Sequence, residues 1–270
     1  MMKNKMFDKT KKMAEDEITL LPIESIRKQT TDEYLLRFKS KINHDPGQFF
    51  MCGIPGIGES AISICSYASD YFELSIRAVG NVTKALCALK KGDKVALRGP
   101  YGHGYEMEKF KAKDLVVIGG GCGVAPVRGI LEFVSKNRPD YGDVEIFFGF
   151  NEDEDILFEV DYSEWEKNDM KVGLALNAEG FSCTRAQKGF VTNILGDLQA
   201  NKNKVAFLCG PPIMIESTVK MLLEKGFQKN QIYVSEERHM KCGVGRCGHC
   251  MMKGKYCCTD GPVFRYDKIN

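Results

Sequence analysis

"DLVVIGGGCGVAPVRGILEFVSKN", residues 114–137, decides the fold. Residues 115–118 (LVVI) form a short unbroken apolar run, which suits a strand buried on both faces. Glycines at 119, 120, 121 and 123 interrupt it at once. Residues 125–137 then show the apolar spacing of a helix, which ends before Pro139. A strand, a glycine turn and a helix in this order open a parallel α/β unit. Gly120, Gly121, Cys122 and Gly123 become candidate ligands for a dinucleotide phosphate, which would sit at the helix N-terminus. The spacing is not G-x-G-x-x-G, so the turn taken alone also reads as purely structural.

Outward from this stretch the rhythm differs on the two sides. Downstream, "DVEIFFGF", "MKVGLAL", "KVAFLCG" and "QIYVS" read as strands, alternating with helices at "EVDYSEWEK", "FVTNILGDL" and "PPIMIESTVKMLLEKG". That alternation predicts a parallel sheet with right-handed crossovers. Upstream, six β-rich runs between residues 18 and 100 predict a small antiparallel Greek-key β-barrel, interrupted by one helix at "VTKALCALKK". The expected organisation is a charged tail over 1–15, a barrel over 16–110, an α/β nucleotide-binding domain over 111–232 and a small cluster domain over 233–270.

Composition narrows the function. The chain has 270 residues, 43% of them hydrophobic, and a formal net charge of +2. This fits more than one core and gives no sign of a nucleic-acid surface. The charged start, and the lack of eighteen consecutive apolar residues, predict a cytoplasmic protein without signal peptide or membrane span. Eleven cysteines in a reducing compartment read as metal ligands or small buried residues rather than disulfides. Cys52, Cys65, Cys87 and Cys183 take the second reading.

"CGVGRCGHC", residues 242–250, carries the sharpest chemistry. Cys242, Cys247 and Cys250 follow C-x4-C-x2-C with interleaved glycines. A chain wrapped round an iron–sulfur cluster needs such small residues, so that backbone N–H groups reach the sulfides. Structural zinc sites more often pair two C-x2-C knuckles. The fourth ligand is Cys257 or Cys258. Cys209, in "FLCGPP", ends a strand where open α/β sheets bind ligands, and reads equally as a buried small residue. "IRAVGNVTKAL" offers a helix start at Val82 and Thr83 for a second phosphate, or an ordinary cap. His44, His103, His239 and His249 are scattered, and no nucleophile–base pair is legible.

In this order the motifs resemble the flavin- and cluster-containing branch of the ferredoxin–NADP reductase superfamily. The likeness spans about residues 18–266 and rests on "PGQFF", "GESAISI", "IRAVGNVTKAL", "LRGPYGHGY", "GGGCGVAP", "CGPPIMI" and "CGVGRCGHC…CTDGPVF". It implies FAD on the barrel, a nicotinamide nucleotide on the α/β domain and a [2Fe–2S] cluster at the C-terminus. Ile62, Ser63 and Ile64 match the strand beside the flavin ring. Arg77, Val79, Gly80, Val82 and Thr83 match the element holding its ribose and pyrophosphate. Cys209, the candidate catalytic residue, matches the nicotinamide segment together with Gly210 and Pro211. The family pattern Cys–any–Asp-Gly-Pro selects Cys258 as fourth ligand. Two positions depart from the family: Ser60–Ala61 stands where many relatives carry Arg-Pro, and Cys122 where Thr is common.

The resemblance implies an electron-transfer subunit working with catalytic and ferredoxin-like redox subunits of a larger complex. A flavin between nicotinamide and cluster converts a hydride into single electrons. Within the branch, the sequence looks closest to the B subunit of anaerobic sulfite reductase. The hydrogenase gamma subunit and the electron-transfer subunit of dihydroorotate dehydrogenase are the alternatives, and a zinc-stabilised binding protein on the same scaffold is the non-enzymatic one. Four carboxylates at Glu152, Asp153, Glu154 and Asp155 would repel a 2′-phosphate, which predicts NAD(H) over NADP(H).

Overall fold

The computed structural model describes residues 17–270; the tail expected over 1–15 lies outside the described residues. Seven strands occupy the first part: β1 (Thr19–Pro22), β2 (Ser25–Lys28), β3 (Glu33–Lys39), β4 (Phe49–Ile54), β5 (Gly58–Ser63), β6 (Tyr71–Arg77) and β7 (Lys94–Tyr101). They form an antiparallel β domain of two sheets, β1–β7–β4–β5 and β2–β3–β6. One bridge, between Ile64 and Leu74, joins the sheets. Leu36, Phe38, Ile64, Phe72 and Leu74 are fully buried between them. Each such side chain contributes about 1.5–3 kcal/mol by leaving water. Helix α1 (Asn81–Cys87) lies across β4, β5 and β6.

The second part runs β8 (Asp114–Gly120), α2 (Val124–Lys136), β9 (Val144–Phe150), α3 (Glu159–Lys167), β10 (Met170–Leu176), β11 (Ala186–Lys188), β12 (Lys204–Cys209), α4 (Pro212–Glu224) and β13 (Ile232–Ser235). These strands pair in parallel in the order β11–β10–β9–β8–β12–β13. Strand order reverses at β8, so a crevice opens beyond the carboxyl ends of β8 and β12, where such sheets take their ligands. The helix expected at "FVTNILGDL" is only a 3₁₀ turn over Val191–Leu195. β-Branched Val191, Thr192 and Ile194 favour α-helix weakly, and Gly196 ends the turn.

The remaining residues form β14 (Met251–Met252), β15 (Lys255–Tyr256), the single helical turn α5 (Cys257–Asp260) and β16 (Val263–Arg265). Strand β16 pairs antiparallel with β13 as a seventh strand of the large sheet. The cysteine-rich loop is therefore tied to that sheet at both ends. Phe207 of β12 fastens the first part to the second. It packs against Tyr105, Phe110 and Tyr233 at centroid distances of 5.1, 5.0 and 5.8 Å, contacts worth about 0.5–1.5 kcal/mol each beyond burial. Among the described residues, no helix is long and apolar enough to cross a membrane.

Candidate functional site

At the mouth of the crevice Gly119 lies opposite Cys209, and the two following turns interlock. A Cβ on Gly123 would stand 2.5 Å from the Gly210 backbone, and one on Gly120 would strike the Met214 sulfur at 2.2 Å. Gly121 is different: its φ is +53° and a Cβ there would meet nothing within 4 Å. Gly120, Gly123 and Gly210 are needed for close packing, whereas Gly121 serves the left-handed turn. Cys122 is half-buried. Burial pushes its thiol up to about 11, the carboxylates of Glu237 and Glu33 add to this, and Arg77 opposes it. Pro211 is exposed at the crevice edge.

Cys209 is completely buried, and burial raises its thiol far above the ordinary range. Its side chain belongs to the same apolar cluster as Phe207, below the crevice rather than in it. A thiol this buried packs as part of the wall beneath the crevice, which is the structural one of the two readings the sequence offers.

On the first part, β5 alternates. Ile62 and Ile64 point into the core, and Ser63 is left on the other face, half-buried. The two isoleucines thus offer only backbone to a ligand. Arg77 pairs with Asp32 at 2.9 Å, and Val79 is 67% exposed. Thr83 is committed locally: its hydroxyl accepts from the N–H groups of Val79 and Gly80 and donates to the Gly80 carbonyl. This is the cap reading. Thr83 shapes the loop, and its hydroxyl is not spare for a phosphate. Val82 is half-buried on α1.

In the cysteine corner, the Val244 N–H points at the Cys242 sulfur (3.4 Å) and the Gly245 N–H at the Cys258 sulfur (3.1 Å). Gly243, Gly245 and Gly248 all have φ near +75°, the conformation that aims consecutive N–H groups inward. Burial would raise the Cys242 thiol. N–H groups from Val244, Cys247 and Arg246, together with the Cys247 thiol, outweigh this and bring it down to about 7. Cys250 and Cys258 are buried, whereas Cys247 is exposed. The thiols meet in two pairs, Cys242 with Cys247 and Cys258 with Cys250; among the described residues no three of them converge on a single metal ion, and two pairs suit a two-iron cluster better than one ion. The loop also sits against β4 and β7 of the first part. Gly243 packs against Met51 and Tyr101, and Arg98 reaches the Cys242 carbonyl at 3.3 Å while holding Glu59 through two hydrogen bonds of 2.9 and 2.7 Å.

The acidic loop after β9 is partly self-satisfied. Asp153 accepts from both the N–H and hydroxyl of Ser182 and from the Cys183 N–H, and the Ser182 N–H bond leads in holding its pKa down. The nearby cations are occupied as well, Arg185 by Glu166 and Lys188 by Glu179. A dinucleotide without a 2′-phosphate suits this environment.

Sequence reasoning missed Glu237. It keeps solvent access, yet protein surrounds it closely enough for burial to raise its carboxyl pKa. Its charge is felt at Cys122 and Cys209, so it stands on the same side of the molecule as these two thiols. No sequence signal separates it from Glu236. A folded pKa above the ordinary 4.5 means that its contribution is most favourable below that value and is lost as pH rises through the folded pKa. Glu237→Gln should therefore raise the melting temperature at pH 7–8 and leave it unchanged below the ordinary carboxyl pKa. A variant less stable at neutral pH would show that Glu237 has a stabilising partner.

Comparisons with known proteins agree with this arrangement. Residues 117–220 match the family described as "Oxidoreductase NAD-binding domain", and residues 237–270 match "Iron-sulfur cluster binding domain of dihydroorotate dehydrogenase B". The chain is 38% identical to the gamma subunit of sulfhydrogenase 1 of Pyrococcus furiosus over 260 residues, covering 89% of this chain and 87% of that one. The gamma subunit of sulfhydrogenase 2 from the same organism is also 38% identical, with coverages of 82% and 83%. A probable electron-transfer subunit of dihydroorotate dehydrogenase B from Thermococcus kodakarensis is 32% identical, with coverages of 93% and 97%. Among solved structures, an NADH-dependent reduced ferredoxin–NADP oxidoreductase superposes with a TM-score of 0.75 at 22% identity, covering 93% and 91%, a likeness of fold. The group set is thus FAD, an iron–sulfur cluster and NAD(H). The chain belongs to the family of oxidoreductase electron-transfer subunits that includes the hydrogenase gamma subunits and those of dihydroorotate dehydrogenase B, built on a ferredoxin–NADP reductase-like fold.

Proposed function

We propose that this chain is the NADH-linked electron-transfer subunit of a hydrogenase-type assembly, delivering single electrons to a partner subunit. FAD supplies the exchange between a two-electron hydride and one-electron chemistry. The protein's own residues position and shield. Gly121 with Cys122 and Gly123 would take the dinucleotide phosphates, and Gly210 with Pro211 would border the nicotinamide. The backbone at Ile62 and Ile64, with Ser63, would line the flavin ring; Arg77, Val79, Gly80 and Val82 would hold its remainder. Cys242, Cys247, Cys250 and Cys258 would hold a [2Fe–2S] cluster.

The observation that carries the electron route is the seating of the cysteine loop on β4 and β7 through Met51, Tyr101 and Arg98. It supports a route in which the proposed flavin surface and cluster corner belong to one packed unit, since Met51, Cys250 and Cys258 share a core cluster. The choice of assembly rests on the 38% identity with sulfhydrogenase gamma subunits. This replaces the leaning toward a sulfite reductase B subunit. Anaerobic affinity purification of the tagged chain from its native cells tests it, with metal and cofactor analysis of whatever co-purifies. A nickel-containing partner is expected. A siroheme partner, or an FMN partner that oxidises dihydroorotate, would overturn the assignment.

A further inference from the structure

We infer that the cysteine loop is a docking surface for an acidic protein and that electrons leave this chain across it; this rests on the electron-transfer reading above. Residues 238–259 contain five Lys/Arg and two His without a single carboxylate. Outside them, thirty-three Lys/Arg stand against thirty-six Asp/Glu, so the rest of the chain is slightly negative. The positive charge is concentrated where the four sulfurs gather. Arg238, His239, Lys241, Arg246, His249 and Lys253 are all exposed. They share one surface, because the rings of His239 and His249 lie 5.8 Å apart and bring the first segment beside the second.

Three further observations favour recognition over a merely solvated loop. Backbone N–H groups bond the sulfurs of Cys242 and Cys258, and the exposed cations stand around them. Of the carboxylates that flank the stretch, Asp260 accepts the Tyr256 N–H at 2.6 Å. Cys247 is exposed at the centre of the basic rim, and Met251, 59% exposed, adds an apolar spot there. A concentrated field around an exposed ligand steers an oppositely charged surface toward it and sets orientation and on-rate.

The test uses the holoprotein with NADH and three acceptors: neutral menadione, an acidic plant-type ferredoxin and basic cytochrome c. For ferredoxin, kcat/KM should fall at least about tenfold between low and high salt, whereas menadione reduction should not change. The double variant Lys241→Glu/Lys253→Glu should lower the ferredoxin kcat/KM at low salt by about tenfold or more, with cluster absorbance and menadione activity retained. A ferredoxin rate insensitive to salt, or a preference for cytochrome c, overturns the inference. So does a variant that shifts the cluster potential but leaves the salt dependence intact, which would make the charges cluster compensation only. Retention on DNA or on phosphatidylserine vesicles together with a salt-insensitive ferredoxin rate would also overturn it. Failure of menadione reduction would instead strike the electron-transfer reading itself.

Discussion

Arg128→Met is expected to destabilise the protein by about 3–5 kcal/mol, the cost of leaving buried carboxylates without their cation. Arg128 projects from α2, and its side chain is 7% exposed. It holds Glu73 of β6 at 2.8 Å, Glu132 of α2 at 2.8 Å and Asp161 of α3 at 2.6 Å. It also donates to the Cys65 carbonyl at 2.9 Å, and its guanidinium stacks over Phe158. Glu73 and Cys65 belong to the first part of the molecule, the others to the second. One guanidinium therefore joins the first part of the molecule to the second.

The carboxylates exceed the cation. Arg37 relieves Glu73 from the far side at 2.7 Å, but burial still raises the Glu132 pKa despite its guanidinium neighbour. A raised folded pKa means that Glu132 costs stability when ionised and recovers it as pH falls. Glu132→Gln should accordingly cost far less than Arg128→Met, within about 1 kcal/mol. Function separates a bolt from a mere stability residue. If Arg128 fixes the angle of the crevice, the folded fraction of Arg128→Met should lose up to about 10²-fold in kcat for NADH-driven dye reduction, while KM for NADH changes little. Thermal melts and steady-state kinetics on the holoprotein check both. A variant that melts like the wild type, or one whose kcat is unchanged, would remove the bolt.

Arg128 also shows where sequence reading stops. The helix around it is legible from Val127, Ile130, Leu131 and Val134, because burial repeats at helical spacing. An arginine on that face reads as an interruption, since its partners come from β6 and α3, far away in sequence. Strand β16 is hidden for the same reason: three residues after a cluster loop carry no periodicity, and only pairing with β13 makes them a strand. Local signals did better. The glycine turn at 119–123 follows from close packing that leaves no room for a Cβ at Gly120 and Gly123, and the loop at 242–250 from positive-φ glycines set between cysteines. The distinction between Cys209 as participant and as wall depends on which side of β12 faces the crevice. A strand apolar on both faces cannot announce that.

Cys258→Ala should abolish the cluster, and Cys257→Ala should keep it. The two residues are adjacent on α5, so their side chains leave the turn about 100° apart and cannot both face the same centre. Burial leads in raising each thiol to about 12, and acidity does not distinguish them. Hydrogen bonding does. The Cys258 sulfur accepts the Gly245 N–H from the cluster loop at 3.1 Å and lies beside Cys250 and Cys242. The Cys257 thiol instead donates to the Glu236 carbonyl at 3.0 Å, in the opposite sense to a metal-bound thiolate, which has no proton to give. Its lost contact should cost only about 1 kcal/mol. Loss of the fourth thiolate removes what the loop folds around: beyond Met240, Met252 and the cysteines it packs few apolar side chains. Iron and acid-labile sulfide per chain, visible absorbance and the melting temperature should all fall for Cys258→Ala and stay near wild type for Cys257→Ala. NADH-driven menadione reduction, which needs only the flavin side, should survive in both. Iron retained in Cys258→Ala and lost in Cys257→Ala would reverse the ligand assignment.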